Sequence, residues 1–320
     1  MSRVVVTGAI PSCGLDMLHA AGHSVADWTE PQPMPRAELL RMVNGADGLV
    51  TLLTERVDAE LLDCAGPQLR VVSNVAVGYN NIDVAACVGR GVTATNTPGV
   101  LTEATADIAM ALVLMATRRL AEGERLIRSG QPWRWGMFMM LGTSIQGQRL
   151  GIIGMGQIGV AVARRATAFG MTIAYTNRRD VDPALARELG AVRLPLDELL
   201  ETSDVISLHC PYSTETHHLV STAQFALMKR TAFLVNTARG PVVDESALVE
   251  ALERGDLAGA GLDVFEHEPE VHPGLLGRDD VVLIPHLGSA TVETRMAMAI
   301  LAARNVVAVL EGQPALTPIT

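Results

Sequence analysis

Three segments in the second half of the chain each follow a predicted strand and carry one residue able to do chemistry. They span residues 236–240, 261–269 and 285–289, and contribute Arg239, Glu268 and His286. Ligands of open α/β sheets gather at the carboxyl ends of the strands. An imidazole paired with a carboxylate transfers protons, and a guanidinium binds carboxylates. The set predicts hydride transfer between a nicotinamide and a 2-oxo or 2-hydroxy acid.

The chemistry assigns a separate role to each of the three side chains. His286 is expected to donate a proton to the substrate carbonyl oxygen, or to remove it from the hydroxyl in the reverse direction. Glu268 would orient the imidazole and favour its protonated form. Arg239 would clamp the substrate carboxylate and polarise the adjacent carbonyl. The neighbouring His267 is a weaker candidate, because His286 lies directly after a strand.

A glycine-rich loop follows the predicted strand 149–153 and precedes a predicted helix over 160–169. It reads Gly154, Met155, Gly156, Gln157, Ile158, Gly159. The first two glycines permit a tight turn and close backbone approach to a pyrophosphate, and the third lets the helix pack on the strand. In this strand–loop–helix context the loop predicts a dinucleotide site rather than a structural turn.

The end of the next predicted strand, 172–175, indicates which dinucleotide is bound. It continues with Thr176, Asn177, Arg178 and Arg179. An NAD site usually places a carboxylate here for the ribose hydroxyls, and none is present. Two guanidiniums suit a 2′-phosphate, so the sequence favours NADPH, with NADH as the weaker cofactor. The alternative is a solvated loop, since acidic residues follow at once.

These segments belong to two series of short apolar strands that alternate with helices. Such alternation is typical of βαβ units and parallel sheets. The glycine loop begins only at residue 154, after a complete α/β series. We therefore predict an α/β fold of two domains, with a Rossmann nucleotide-binding domain inserted in a flavodoxin-like substrate domain. The substrate domain would comprise 1–98 and 288–320, and the nucleotide-binding domain 99–287.

Composition excludes several other classes of protein. The 320 residues include 25 Lys plus Arg, of which Lys229 is the single lysine. A P-loop lysine is thus excluded, and Schiff-base chemistry would depend on Lys229 alone. The formal net charge of −10 disfavours nucleic acid and anionic membranes as partners. The absence of a signal-peptide pattern and of an apolar membrane-spanning run predicts a cytoplasmic protein.

The four cysteines show no ligand-like spacing, which predicts reduced thiols and no metal site. His209 and Cys210 follow a predicted strand and could indicate a metal or thiol site. No third ligand is evident in the sequence, so lining of the cofactor pocket is the favoured interpretation of both.

The chain resembles the D-isomer-specific 2-hydroxyacid dehydrogenase family, most closely its glyoxylate/hydroxypyruvate reductase branch. Over nearly the full length, the resemblance includes segments 77–83 and 96–98, the glycine loop and the three segments described first. It implies that Arg239, Glu268 and His286 are catalytic. It also implies that Leu53 contacts substrate and that the amides around Val77 and Gly78 hold its carboxylate; Arg239 and His286 contact it too.

The resemblance extends to the cofactor and the assembly. Pro211, Thr237, Asp263 and Gly288 take positions that line the cofactor site, and Thr176 matches NADPH-using relatives. We add Cys210, Thr216 and Ala238 to this lining. The family implies a homodimer in which the apolar loop 133–142 crosses the interface; a substrate lid and ordinary packing within the chain are alternatives. A 2-ketogluconate reductase and a non-catalytic dinucleotide-sensing protein of the same fold also stay open.

Overall fold

The computed structural model describes residues 1–319. The chain divides into two compact units. The terminal unit comprises Met1–Leu101 and the chain from Ser289 onward, and the central unit comprises Thr102–Gly288. The central unit is therefore an insertion in the sequence of the terminal unit. Among residues 1–319, no helix combines the length and apolar character needed to cross a bilayer.

The strands are short and each is followed by a helix or a turn. In chain order they are β1 (Arg3–Val6), β2 (Ser24–Asp27), β3 (Gly48–Thr51), β4 (Val71–Asn74), β5 (Thr93–Thr95), β6 (Arg149–Ile153), β7 (Thr172–Thr176), β8 (Val192–Arg193), β9 (Val205–Leu208), β10 (Phe233–Asn236), β11 (Gly259–Leu262) and β12 (Val281–Leu283). The α-helices are α1 (Ser12–Ala20), α2 (Arg36–Val43), α3 (Ala59–Ala65), α4 (Val84–Gly89), α5 (Thr102–Thr117), α6 (Leu120–Arg128), α7 (Gln157–Ala168), α8 (Pro183–Glu188), α9 (Leu196–Thr202), α10 (Thr222–Leu227), α11 (Glu245–Arg254), α12 (Pro273–Leu276) and α13 (Val292–Leu310).

The terminal unit is built on a five-stranded parallel sheet in the order β2-β1-β3-β4-β5. Its inner strands β3 and β4 are buried along their whole length, as expected when helices cover both faces of a parallel sheet. Val5, Leu49 and Val72 are fully buried on neighbouring strands. The C-terminal helix α13 packs against α1 and β4, so the end of the chain completes the unit in which it began.

The central unit contains a seven-stranded parallel sheet in the order β12-β11-β10-β9-β6-β7-β8. The chain moves outward from β6 to β7 and β8, then returns to β9 on the other side of β6. This reversal creates a crevice at the carboxyl ends of β6 and β9, where doubly wound folds bind their ligands. The order confirms the predicted α/β class with a Rossmann-type inserted unit.

Several predicted element boundaries were wrong, for local reasons. Helix α7 begins at Gln157 rather than at 160, because Gly156 already acts as its N-cap. Helix α5 ends at Thr117, and Arg119, with a left-handed φ of 54°, is the N-cap of the separate helix α6. The sequence analysis missed the edge strands β2 and β8, which contain few buried residues.

Candidate active site

His286 and Glu268 form a direct pair in the central unit. Their Nδ1 and Oε2 atoms lie 2.8 Å apart, and the side chains are 32% and 36% exposed, respectively. Within residues 1–319 no hydrogen bond occupies Nε2 of His286, so this second ring nitrogen is available to a ligand. The arrangement resembles other acid–base sites, in which a carboxylate orients an imidazole through one nitrogen and leaves the other for chemistry.

The environment of Glu268 favours its ionised form. Burial alone would raise the pKa of Glu268, but the hydrogen bond and the charge of His286 outweigh it. The amide of Phe265, which donates to Oε1 at 3.0 Å, and the charge of Arg239 lower the pKa further. Because the pKa of Glu268 is lowered in the folded protein, the carboxylate is charged at every pH above the ordinary glutamate pKa. It loses its charge only when the pH falls through the lowered pKa.

The backbone around His286 is held by Asp263. The amide of His286 donates to the Asp263 carbonyl at 2.9 Å, and His286 has a left-handed φ of 51°. The carboxylate of Asp263 accepts from the amides of Leu287 at 2.5 Å and Gly288 at 2.8 Å. Burial raises the pKa of Asp263, although both amides oppose the rise. Sequence reasoning expected Asp263 and Gly288 only in the cofactor lining and missed this anchoring contact.

Arg239 lies in the loop that follows β10. The side chain of Asn236 closes this loop, since its Nδ2 donates to the Arg239 carbonyl at 3.0 Å and its Oδ1 accepts from the Ala238 amide at 3.0 Å. Burial lowers the pKa of Arg239 from its ordinary value, while the charge of Glu268 opposes the shift. Because the pKa of a guanidinium lies far above neutral pH, Arg239 stays charged at neutral pH in spite of this lowering.

The Arg239 loop and the Glu268 loop touch through their backbones. A Cβ added to Gly240 would lie only 1.8 Å from the carbonyl oxygen of Phe265. Only glycine permits this approach, which brings the backbones that carry Arg239 and Glu268 together. The structure therefore groups all three predicted catalytic side chains on adjoining loops of the central unit.

The glycine loop has the shape of a phosphate cradle. Gly154 has a φ of 96°, and a Cβ there would lie 2.5 Å from the Cys210 amide nitrogen. A Cβ on Gly159 would lie 2.6 Å from the Gly154 carbonyl oxygen, which confirms the tight packing of helix on strand. By contrast, the Cβ position of Gly156 has open space around it. This opening at the N-terminus of α7, with Gln157 and Ile158 in the first turn, fits a pyrophosphate.

The two arginines after β7 are exposed, as a phosphate site requires. Asn177, the residue before the two arginines, is bound to the glycine loop, because its Oδ1 accepts from the Met155 amide at 2.6 Å. Among residues 1–319, no carboxylate forms an ion pair with Arg178 or Arg179. The adjacent Asp180 is instead paired with Arg193 at 2.6 Å. Of the two acidic residues that suggested a solvated loop, Asp180 is thus paired with Arg193 and Asp182 caps α8.

The other predicted lining residues follow β9 and β10. Burial raises the pKa of the Cys210 thiol to about 11. The hydroxyl of Thr216 donates to the Pro211 carbonyl at 2.8 Å, which fixes this turn. Thr237 lies 3.4 Å through its hydroxyl from Nδ1 of His209.

His209 itself does not have the surroundings of a metal ligand. Burial lowers the pKa of His209 to about 4, and its Nε2 contacts the Ser207 hydroxyl at 2.8 Å. No group of three His, Cys, Asp or Glu side chains within residues 1–319 could hold a metal ion. The four cysteines are free thiols. We therefore interpret His209 as a neutral, hydrogen-bonded residue beneath the glycine loop.

The substrate residues implied by the resemblance lie in the terminal unit, and asparagines hold their backbone. Asn96 donates to the Val77 carbonyl at 2.7 Å, and Asn74 donates to the Gly78 carbonyl at 3.0 Å. Asn81 donates to the carbonyl of Leu52, next to Leu53, at 3.0 Å. These amide side chains were not predicted, and the partners of Asn81 and Asn96 lie far away in the sequence.

The apolar loop 133–142 is exposed in this chain. Trp135 is 78% exposed, Met137 73% and Phe138 89%. Exposed apolar side chains at this density are typical of surfaces that bind a partner or a ligand. The alternative of ordinary packing within the chain was wrong for these residues.

Comparison with known proteins agrees with this geometry. The sequence profile described as D-isomer specific 2-hydroxyacid dehydrogenase, NAD binding domain, matches residues 110–288. A glyoxylate reductase of Thermococcus onnurineus is 48% identical over 97% of this chain and 93% of its own. A solved protein of Thermus thermophilus has a TM-score of 0.93 and 45% identity, covering 99% of this chain and 100% of its own.

A further solved structure contains ligands. It is an NADPH-dependent glyoxylate/hydroxypyruvate reductase from Sinorhizobium meliloti in complex with NADP and malonate. It has a TM-score of 0.87 and 35% identity, and covers 100% of this chain and 97% of its own. With a matching profile and a relative close to half identical over almost its whole length, the chain belongs to the D-isomer specific 2-hydroxyacid dehydrogenase family.

Proposed function

We propose that the chain is an NADPH-dependent 2-oxoacid reductase that converts glyoxylate to glycolate and hydroxypyruvate to D-glycerate. The observation that carries the proposal is the 2.8 Å pair of His286 and Glu268. The loop that carries Glu268 packs against the loop that carries Arg239. The names of the Thermococcus and Sinorhizobium relatives support the substrate class.

The central unit has residues suited to hold the dinucleotide. The amides at the start of α7 would receive the pyrophosphate over the open side of Gly156. The segment from Thr176 to Arg179 would hold the ribose end. The remaining lining is proposed to comprise Cys210, Pro211, Thr216, Thr237, Ala238, Asp263 and Gly288. When bound, NADPH supplies the hydride, and the protein supplies the proton and the charge that stabilises the developing oxyanion.

The protein side chains then act as follows. The imidazolium of His286 donates its Nε2 proton to the substrate carbonyl oxygen as negative charge develops there. Glu268, ionised because its pKa is lowered, stabilises the imidazolium through Nδ1. Arg239 binds the substrate carboxylate and polarises the carbonyl. We assign further contacts with the substrate to Leu53 and to the amides around Val77 and Gly78 of the terminal unit.

A panel of substrates and both cofactors tests the proposal. Purified protein should oxidise NADPH in the presence of glyoxylate and hydroxypyruvate, and 2-ketogluconate should be a poor substrate. Turnover of 2-ketogluconate alone would assign the alternative reductase activity. Tight NADPH binding without turnover of any 2-oxoacid would instead support a dinucleotide-sensing protein and refute the reductase.

The same assay tests cofactor preference through the double variant Arg178→Ala, Arg179→Ala. Hydrogen bonds to charged groups contribute about 1.5–3 kcal/mol each. Loss of two should therefore raise KM for NADPH by at least about a hundredfold, while KM for NADH changes little. Arg230→Ala is the matched control, because Arg230 is 80% exposed and only loosely paired. Equal effects on NADPH and NADH would contradict the assignment of the 2′-phosphate site.

We also propose that the chain forms a homodimer that covers loop 133–142. The exposed apolar side chains of this loop support a partner surface, and exposed Leu120 and Ile127 on α6 extend it. Sedimentation equilibrium should show a dimer for the wild type and a monomer for the variant Trp135→Glu, Phe138→Glu. A wild-type monomer at micromolar concentration would contradict the proposal and favour the substrate-lid alternative.

The free cysteines bear on the location of the protein. All four thiols are unpaired, which fits a reducing compartment. We propose a cytoplasmic location on that basis.

A further inference from the structure

The loop that carries Glu268 is hydrogen-bonded to a second carboxylate, that of Glu245. Glu245 is the first residue of α11, and only 5% of its surface is exposed. An acidic residue is almost never buried to this degree unless its oxygens are satisfied. Its surroundings therefore need an explanation that the proposed chemistry does not supply.

The Glu245 side chain binds the start of the Glu268 loop. Its Oε1 accepts from the amide of Glu266 at 2.8 Å, two residues before Glu268. Burial raises the pKa of Glu245, and the amides of Glu266 and His272 oppose the rise. One buried carboxylate is thus hydrogen-bonded to the backbone two residues before the residue that contacts His286.

The side chain of Glu266 closes this arrangement. Its Oε1 lies 2.6 Å from Nε2 of His218, and its Oε2 accepts from the Glu245 amide at 3.4 Å. Asp244, the N-cap of α11, faces the other ring nitrogen of His218 at 3.9 Å. The loop is therefore attached to α11 and to the segment before α10 through the side chains of Glu245, Glu266 and His218.

We propose that Glu245 is a positioning residue that holds the Glu268 carboxylate within hydrogen-bond distance of His286. The inference rests on the proposed reductase function. Without the Glu245 carboxylate, the loop between Glu266 and His272 loses the acceptor that holds the Glu266 amide. A displacement of about 1 Å at a reacting group costs on the order of a hundredfold in rate.

The test compares Glu245→Gln and Glu245→Ala with the control Glu250→Gln, in full-length protein. Glu250 lies on the same helix and is exposed. Glutamine keeps the length of the side chain, but it carries no charge and its NH2 group donates where a carboxylate oxygen accepts. We expect kcat for the 2-oxoacid to fall about tenfold in Glu245→Gln and about a hundredfold in Glu245→Ala. NADPH affinity should stay within about twofold, and Glu250→Gln should match the wild type.

The pH profile separates positioning from a loss of stability. If Glu268 moves away from His286, the imidazolium loses its counter-charge and the alkaline limb of kcat shifts to lower pH. A merely destabilised variant would lower the active fraction at every pH and leave the midpoint unchanged. An unchanged midpoint in a folded Glu245→Gln variant would overturn the proposal, as would an unchanged kcat.

A readout independent of turnover keeps this inference distinct from the reductase proposal. In ¹⁵N-histidine NMR spectra, with the His286 signal identified through His286→Asn, the imidazole should titrate at lower pH in Glu245→Gln than in wild type. If wild type reduces no 2-oxoacid but this shift appears, the function fails and the positioning role holds. If wild type is active and the signal does not move, the positioning role fails alone.

Discussion

Replacement of His286 by asparagine should lower kcat for 2-oxoacid reduction by about 10²- to 10⁴-fold, the usual contribution of a positioned general acid. Asparagine can occupy the same space but cannot release a proton. NADPH affinity, measured by fluorescence titration, should be nearly unchanged, because the glycine loop does not depend on this side chain. A His286→Asn variant within about tenfold of the wild-type rate would show that another group protonates the substrate.

The variant Glu268→Gln tests whether Glu268 causes the loss of activity at acidic pH. The pKa of Glu268 lies below its ordinary value of 4.5, so its charge is present above that value and disappears only on further acidification. We expect wild-type activity to keep its acid limb below pH 4.5. Glu268→Gln should lose this limb and show an alkaline limb at lower pH. An acid limb retained in Glu268→Gln would assign that ionisation elsewhere.

Replacement of Arg239 by alanine should lower kcat/KM for glyoxylate by about 10²- to 10³-fold, as expected for loss of a preorganised donor to a developing oxyanion. Arg239→Lys keeps the charge but cannot bind a carboxylate through two parallel hydrogen bonds, so its activity should be intermediate. Thermal unfolding of both variants serves as the control for folding. Equal activity in Arg239→Lys and Arg239→Ala would indicate that the two-pronged geometry, not the charge, is what the substrate requires. Wild-type kinetics in both would contradict the role of Arg239.

The residues proposed to react could be located in the sequence because each lies in the loop after a strand of the parallel sheet. Such strands are apolar, short and easily located, and the polar residue after each one is conspicuous. The glycine loop was predictable because each of its three glycines permits a close approach that a side chain would block. The structure shows two of these approaches, at Gly154 and Gly159. The edge strands β2 and β8 were missed because edge positions bury few side chains and leave a weak apolar pattern.

The supporting contacts could not be predicted, because sequence distance hides them. Glu245 lies 21 residues from Glu266, and Glu266 lies 48 residues from His218. In the sequence Glu245 is one more acidic residue at a helix start, where it is favourable on electrostatic grounds alone. Likewise, Asn74, Asn81 and Asn96 resemble ordinary turn residues until the loops that they join are folded.

The close approach at Gly240 affects how mutational data on this protein should be interpreted. A methyl group there would overlap the Phe265 carbonyl, so even alanine would force the two loops apart. In a saturation screen for activity, Gly240 would consequently rank with His286 and Arg239 as intolerant of change. Gly240 would be intolerant because a side chain there overlaps the Phe265 backbone, not because it takes part in the reaction. A screen scored on growth alone would therefore count Gly240 wrongly as a catalytic residue.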